Sequence, residues 1–182
     1  MWKGYVQHCL STNVSFVARD PRDNNQVIGM RLAEVTDPRS YEEQMRQNNR
    51  WMPWYSSGAR RIVRFGKAEE KINNKLEVFK QFGVEKILLF NALGVRKAYR
   101  RLGVATKLNR LCLEEGKRLG CEMAFVAASA YASMRSFEKV GFKPYKVVPL
   151  EDYKDKRGRP IATQLDGCPP NVTYYQISLR DV

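Results

Sequence analysis

Histidine is nearly missing from this chain: a single one, His8, stands among 182 residues. The four cysteines, Cys9, Cys112, Cys121 and Cys168, form no C-x-x-C pair, and His8 lies at no usual zinc spacing from them. No metal site is therefore expected, and the cysteines read as reduced thiols of a cytoplasmic protein. Long apolar runs are missing as well. The start, Met1-Trp2-Lys3-Gly4-Tyr5, has no apolar stretch of signal-peptide length, and no window approaches what a bilayer requires. Neither glycine fingerprint of nucleotide binding, G-x-x-x-x-G-K-[ST] or G-x-G-x-x-G, occurs. Acidic residues are scarce beside basic ones, 19 against 32, and the resulting net charge of +13 favours an anionic partner over a neutral one.

What is present reads as a mixed α/β layout around one sheet. Residues 13–19 and 26–35 alternate as strands and flank the turn Asp20-Pro21-Arg22-Asp23-Asn24-Asn25, which predicts an antiparallel hairpin. Residues 37–57 form a polar, then aromatic, partly helical excursion. There Trp51, Trp54 and Tyr55 serve either as a pocket wall or as loop anchors. A helix is expected over 67–82, ended by Gly83, and a buried strand over 85–95 around Ile87-Leu88-Leu89-Phe90. A second helix follows over 102–119 with Gly120 behind it, then a strand over 121–127. A short helix over 131–140 ends at Gly141, and the last strands cover 143–148 and 172–179. A polar stretch, 150–170, separates those two.

The chemistry concentrates between Leu89 and Leu108. A buried strand runs into a basic loop, and a helix begins with two small residues, Gly103 and Ala105, that let a ligand approach the backbone. The N–H groups and dipole of a helix start attract anions. Between Arg96 and Arg118 the chain carries eight basic residues against two acidic ones, so nearly half of its net charge surrounds this helix. A strand–loop–helix that binds phosphate is the physical reading.

The segment Arg100-x-x-Gly103-x-Ala105 resembles the [QR]-x-x-G-x-[GA] signature of the GNAT superfamily of N-acetyltransferases. A second block, Tyr131-Ala132-Ser133-Met134-Arg135-Ser136-Phe137-Glu138-Lys139-Val140-Gly141-Phe142, is similar to that superfamily's helix ending in "EKLGF". Ser129 and Ser133, with Leu150-Glu151-Asp152-Tyr153-Lys154-Asp155 and Gly158-Arg159-Pro160, resemble the invertebrate arylalkylamine N-acetyltransferase-like proteins. The resemblance runs from about Ser15 to Leu179 and is densest between Lys86 and Tyr145. It implies one acetyl-CoA-binding domain over 1–182, without the usual first strand and the helices that follow it.

The resemblance further implies that Leu93, Gly94 and Val95 hold the pantetheine arm along a bulged strand. Arg100, Arg101, Leu102, Gly103, Val104, Ala105 and Thr106 would cradle the pyrophosphate. The reaction implied is direct attack of a small aryl- or alkylamine on acetyl-CoA, with no metal, nucleic acid or membrane involved. Two departures stand out. The Glu usually assigned as base falls outside the chain, leaving Glu34 and His8 as substitutes, although His8 reads first as a surface side chain. The common tyrosine acid is replaced by Phe137, which leaves Ser129, Ser133 or Tyr131 to protonate the thiolate, with Ser129 equally readable as a helix N-cap. Other readings are a protein or peptide acetyltransferase, a non-catalytic acyl-CoA-binding remnant, and, ranked last, a nucleic-acid module suggested by charge alone.

Overall fold

A computed structural model describes residues 2–50, 68, 75–155, 157–161 and 168–180. Its core is a six-stranded sheet in the order β1-β2-β3-β4-β6-β5, built from β1 (Phe16–Asp20), β2 (Gln26–Thr36), β3 (Ile87–Val95), β4 (Met123–Ala128), β5 (Lys143–Pro149) and β6 (Asn171–Ser178). Only β3 and β4 run parallel; every other neighbouring pair is antiparallel. The expected hairpin is present as β1–β2. Its turn is closed by Asn24 and Asn25 in the left-handed region, φ 48° and 56°, where Asn is among the few residues at ease.

Five helices cover the sheet among the described residues: α1 (Trp2–Ser11), α2 (Pro38–Arg50), α3 (Lys75–Phe82), α4 (Val104–Arg118) and α5 (Tyr131–Glu138). Strand alternation decides which side chains meet which layer. On β2 the odd residues Gly29, Arg31 and Ala33 face α4 and α5, since a Cβ on Gly29 would touch Val104 and Leu108 and the Arg31 guanidinium stacks on Phe90 and Phe137. Leu88, Phe90, Ala124 and Val126 share that face. Ile87, Leu89, Met123 and Phe125 form the opposite core with Tyr41, Val78 and Phe79 from α2 and α3. The run 87–90 is wholly apolar because both of its faces are buried.

Two sequence readings are corrected, and a stretch left unassigned is filled in. The region before Asn13, unassigned from sequence, opens with α1, whose Cys9 is fully buried and whose loop residue Ser15 ties the Cys9 carbonyl to Ala33 of β2. The second long helix begins at Val104 rather than 102, because Arg101 and Gly103 adopt left-handed φ values of 64° and 78° that end the preceding loop. Ser129 is not a helix cap: the N-cap of α5 is Ala130, with no side-chain capping bond. The aromatics Trp51, Trp54 and Tyr55, and most of the stretch 67–74, lie outside the described residues.

One carboxylate staples the ends of the two parallel strands. Glu122, just before β4, accepts the N–H groups of Glu85 and Lys86 just before β3, and Arg180 donates to the same carboxylate while also reaching the Gly83 carbonyl. Those contacts hold its pKa below the ordinary carboxylate range, Arg180 first.

Candidate active site

The parallel pair that Glu122 closes at one end comes apart at the other. Residues Ile87 to Phe90 pair with Met123 to Val126, and there the ladder stops. Beyond it β3 continues for five residues bonded only to β2, and β4 continues bonded only to β6. The cause is visible in the register: Leu32 faces Ala92 but Ala33 faces Phe90, so Asn91 is an extra residue, a bulge that turns the strand away from its neighbour. The result is a V-shaped cleft whose β3 edge, 91–95, carries backbone donors and acceptors with no strand partner among the described residues. Gly94 keeps it roomy, since a Cβ there would meet only Met30, at 3.8 Å.

The loop 96–103 runs from this arm to α4. A 3₁₀ turn, Lys97–Tyr99, folds it, and the Arg96 N–H bonds the Ile28 carbonyl. Tyr99 donates its hydroxyl to Asp20 at the tip of the hairpin, 3.1 Å away, while Asp20 accepts the Arg22 N–H. That backbone bond, ahead of Tyr99 itself, lowers the Asp20 pKa; desolvation and the nearby carboxylate raise that of Tyr99. Arg100 turns back and donates Nε to the Val95 carbonyl. The first intrahelical bond of α4 runs from Lys107 to Gly103, leaving the N–H groups of the first turn for a ligand. Gly103, Thr106, Lys107, Arg110 and Lys139 line a groove of about 500 Å³ between α4 and the end of α5.

The other arm ends in Ser129, exposed immediately after β4, and Ser133 lies half-buried in the first turn of α5. The expected cofactor residues on β3 and α4 are thus joined by a single short loop, and the two serines sit on the opposite arm. Phe137 is buried in a ring cluster with Phe90, Phe142 and Tyr175 and lies under Arg31, 5.1 Å from its guanidinium. Arg31 is only 1% exposed and sits 4.0 Å over Phe90, the last residue of β3 paired with β4.

On the opposite face the bulge residue Asn91 donates Nδ2 to Cys9 Sγ of α1 at 3.3 Å. The next residue back, His8, places Nε2 2.9 Å from Oε2 of Glu34, a residue 3% exposed. Gln44 of α2 approaches the same oxygen at 3.4 Å. His8 is a surface side chain, as read from the sequence, but one ring nitrogen is committed to a buried carboxylate. Arg31, Asn91 and the Asp20–Tyr99 tie were not singled out from sequence. Alternation gives no warning of Arg31, because both faces of β2 are covered. Among the described residues no group of three or more His, Cys, Asp or Glu is placed to hold a metal ion, and no helix is long and apolar enough to cross a membrane.

A model of the "Acetyltransferase (GNAT) family" matches residues 10–142. Solved structures share the fold. A Drosophila melanogaster polyamine N-acetyltransferase that forms N-acetylagmatine superposes with a TM-score of 0.80 at 18% identity, over 97% of this chain and 79% of that one. A mosquito arylalkylamine N-acetyltransferase like 5b gives the same four values. Arylalkylamine N-acetyltransferase 2 from Aedes aegypti gives 0.76 at 24% identity, over 96% and 78%. No curated protein matches by sequence.

Proposed function

Since the chain belongs to the GNAT family of acetyltransferases, we propose that its cleft binds acetyl-CoA and that it acetylates the primary amine of a small aryl- or alkylamine. The observation that carries the reading is the separation of β3 from β4 beyond Phe90 and Val126, opening beside the free first turn of α4. The residues fit a thioester cofactor with a long, thin arm. The backbone of Leu93, Gly94 and Val95 would hold the arm by its amides. Gly103, Val104, Ala105 and Thr106 would meet the pyrophosphate, with Lys107, Arg110 and Lys139 in the adjoining groove for further phosphate. Arg100, Arg101 and Leu102 shape the loop. When bound, the cofactor supplies an acyl carbon already activated as a thioester.

This chain's residues do the rest. A backbone N–H on the free β3 edge would donate to the acyl oxygen where charge collects. Ser129 and Ser133, on the far arm, offer hydroxyls to the departing sulfur, a role that Phe137 has no proton to fill. The small-amine class is supported by the names of the structural neighbours, which cover agmatine and arylalkylamines.

The test is calorimetric titration with acetyl-CoA, followed by release of free thiol on adding tyramine, dopamine, serotonin or agmatine. Binding with thiol release on at least one amine is the expected result. Binding without release on any of them marks a non-catalytic acyl-CoA-binding protein. Absence of binding removes the cleft from function altogether.

A further inference from the structure

We infer that His8 and Glu34 form the proton-accepting pair of the transfer, His8 as the base that touches the amine and Glu34 as the residue that positions it; this rests on acetyl transfer in the β3/β4 cleft. Place is the first argument. Glu34 pairs with Leu89 on β3, one step from the Ala33–Phe90 pair where the bulge begins, and it points to the face opposite α4. The helix carrying His8 is docked on that bulge through the Cys9–Asn91 contact. A cofactor whose phosphates lay at α4 and whose arm passed through the V would present its acyl end towards this other face. The pair stands on that face, beside the bulge where the cleft opens.

Chemistry is the second argument. An ion pair formed only for surface solubility leaves both partners in water, but here the side chains are 43% and 4% exposed. A carboxylate taken out of water needs donors. Glu34 has two, Nε2 of His8 from α1 and Nε2 of Gln44 from α2, and only the histidine can exchange a proton. Asn91 beside the pair is neutral, the Cys9 thiol it donates to is fully buried, and the Arg31 cation is on the far face of β2. Donation from Nε2 to Glu34 fixes the ring tautomer and leaves the lone pair on Nδ1. The carboxylate then stabilises the imidazolium that forms, as in other carboxylate–imidazole pairs.

The step balances as follows. The substrate enters as an ammonium, R–NH₃⁺, because alkylamines have pKa values of roughly 10. His8 Nδ1 takes one proton and leaves the electron pair on nitrogen. That pair forms the C–N bond to the acyl carbon as the C–S bond breaks. The nitrogen's second proton passes by way of solvent to the departing thiolate, giving amide and thiol, and His8 returns the first proton to water. The sum is R–NH₃⁺ plus thioester giving amide, thiol and one H⁺, with nothing oxidised or reduced.

Because His8 is the sole histidine in the sequence, its ring can be read without assignment. In ¹⁵N-histidine-labelled full-length protein, one imidazole pattern with the proton on Nε2 is expected in wild type, and a proton on Nδ1 overturns the proposal. His8→Gln keeps a donor for Glu34, so folding is preserved and its acetyl-CoA Kd should stay within about twofold of wild type. Its kcat/KM for tyramine at pH 7 should fall by about 10²- to 10³-fold, recovering towards pH 10 as the amine deprotonates unaided, and partly on adding free imidazole. Glu34→Gln should show a smaller loss of the same kind. A His8→Gln enzyme matching wild type across the pH range overturns the pair alone. Wild-type protein that binds acetyl-CoA yet acetylates no amine overturns the transfer reading first, before any variant is compared.

Discussion

Gly116, in the last turn of α4, rides directly on Leu88 of β3: a methyl group at Gly116 would lie 2.6 Å from Leu88 Cδ2 and 3.3 Å from its Cγ. Leu88 is fully buried and cannot swing aside. Alanine in a helix interior ordinarily gains about 0.5–1 kcal/mol over glycine, whereas overpacking a core costs about 1–3 kcal/mol. Gly116→Ala is therefore expected to lower unfolding stability by about 1 kcal/mol in urea denaturation. Adding Leu88→Val, which trims the obstructing end of the side chain, should recover part of that loss. Strict additivity of the two changes would mean that they do not touch.

Burial governs two thiols, Cys112 on the inner face of the same helix and Cys121 just after it. Desolvation pushes Cys112 up to about 12, with Arg31 opposing it, and Cys121 up to about 11. A folded pKa above the unfolded one of about 8.5 stabilises the fold fully below that lower value, and the contribution fades as pH rises towards 11–12. Urea midpoints should thus fall between pH 9 and pH 11, and fall less in Cys112→Ala. Native protein at pH 8 should leave Cys112 and Cys121 unlabelled by a disulfide reagent, so thiol-release assays read the cofactor product over a low background.

Charge can be tested at Gly103 beside backbone strain. The residue sits at φ 78°, where an L side chain is strained, although a Cβ there meets no atom within 4 Å. Gly103→Asn, tolerated in the left-handed region, should keep stability near wild type. Gly103→Glu adds a carboxylate at the turn proposed to meet the pyrophosphate and should weaken acetyl-CoA by at least about tenfold, or about 1.4 kcal/mol, with the difference shrinking as salt rises. Equal affinities in calorimetry would remove Gly103 from the phosphate site.

The Tyr99–Asp20 hydrogen bond fixes the loop that feeds α4. Tyr99→Phe removes it without changing ring size and should lower the urea midpoint. The loop's looser position should raise the acetyl-CoA Kd by a few fold. An unchanged Kd with the stability loss intact would make the tie purely structural.

Much of this architecture was legible in the residues. The apolar run 87–90 marked a strand covered on both sides, the Asn-rich turn marked the hairpin, and Arg100 to Thr106 marked a strand–loop–helix that suits phosphate. The sequence showed less wherever partners meet only in three dimensions. Helix α1 is short and carries no acidic residue in its first turn. It is held by the docking of Cys9 rather than by its own periodicity. His8 and Glu34 lie on different elements and 26 positions apart, so no local pattern joins them. The N-terminal boundary of α4 depended on two left-handed residues, and one of them, Arg101, belongs to a type that rarely adopts that conformation.

The two parallel arms of the cleft are separated by the whole of α4, so neither arm can meet the other until that helix has formed and crossed over. Closing so long a segment is slow compared with closing the β1–β2 turn. The cleft is thus absent from any partly folded chain that lacks the crossover. A ligand seated in it draws all of its binding free energy from the native state. At a hundred times its Kd, acetyl-CoA would raise the unfolding free energy by about 2.7 kcal/mol, making thermal stability itself a gauge of cofactor occupancy.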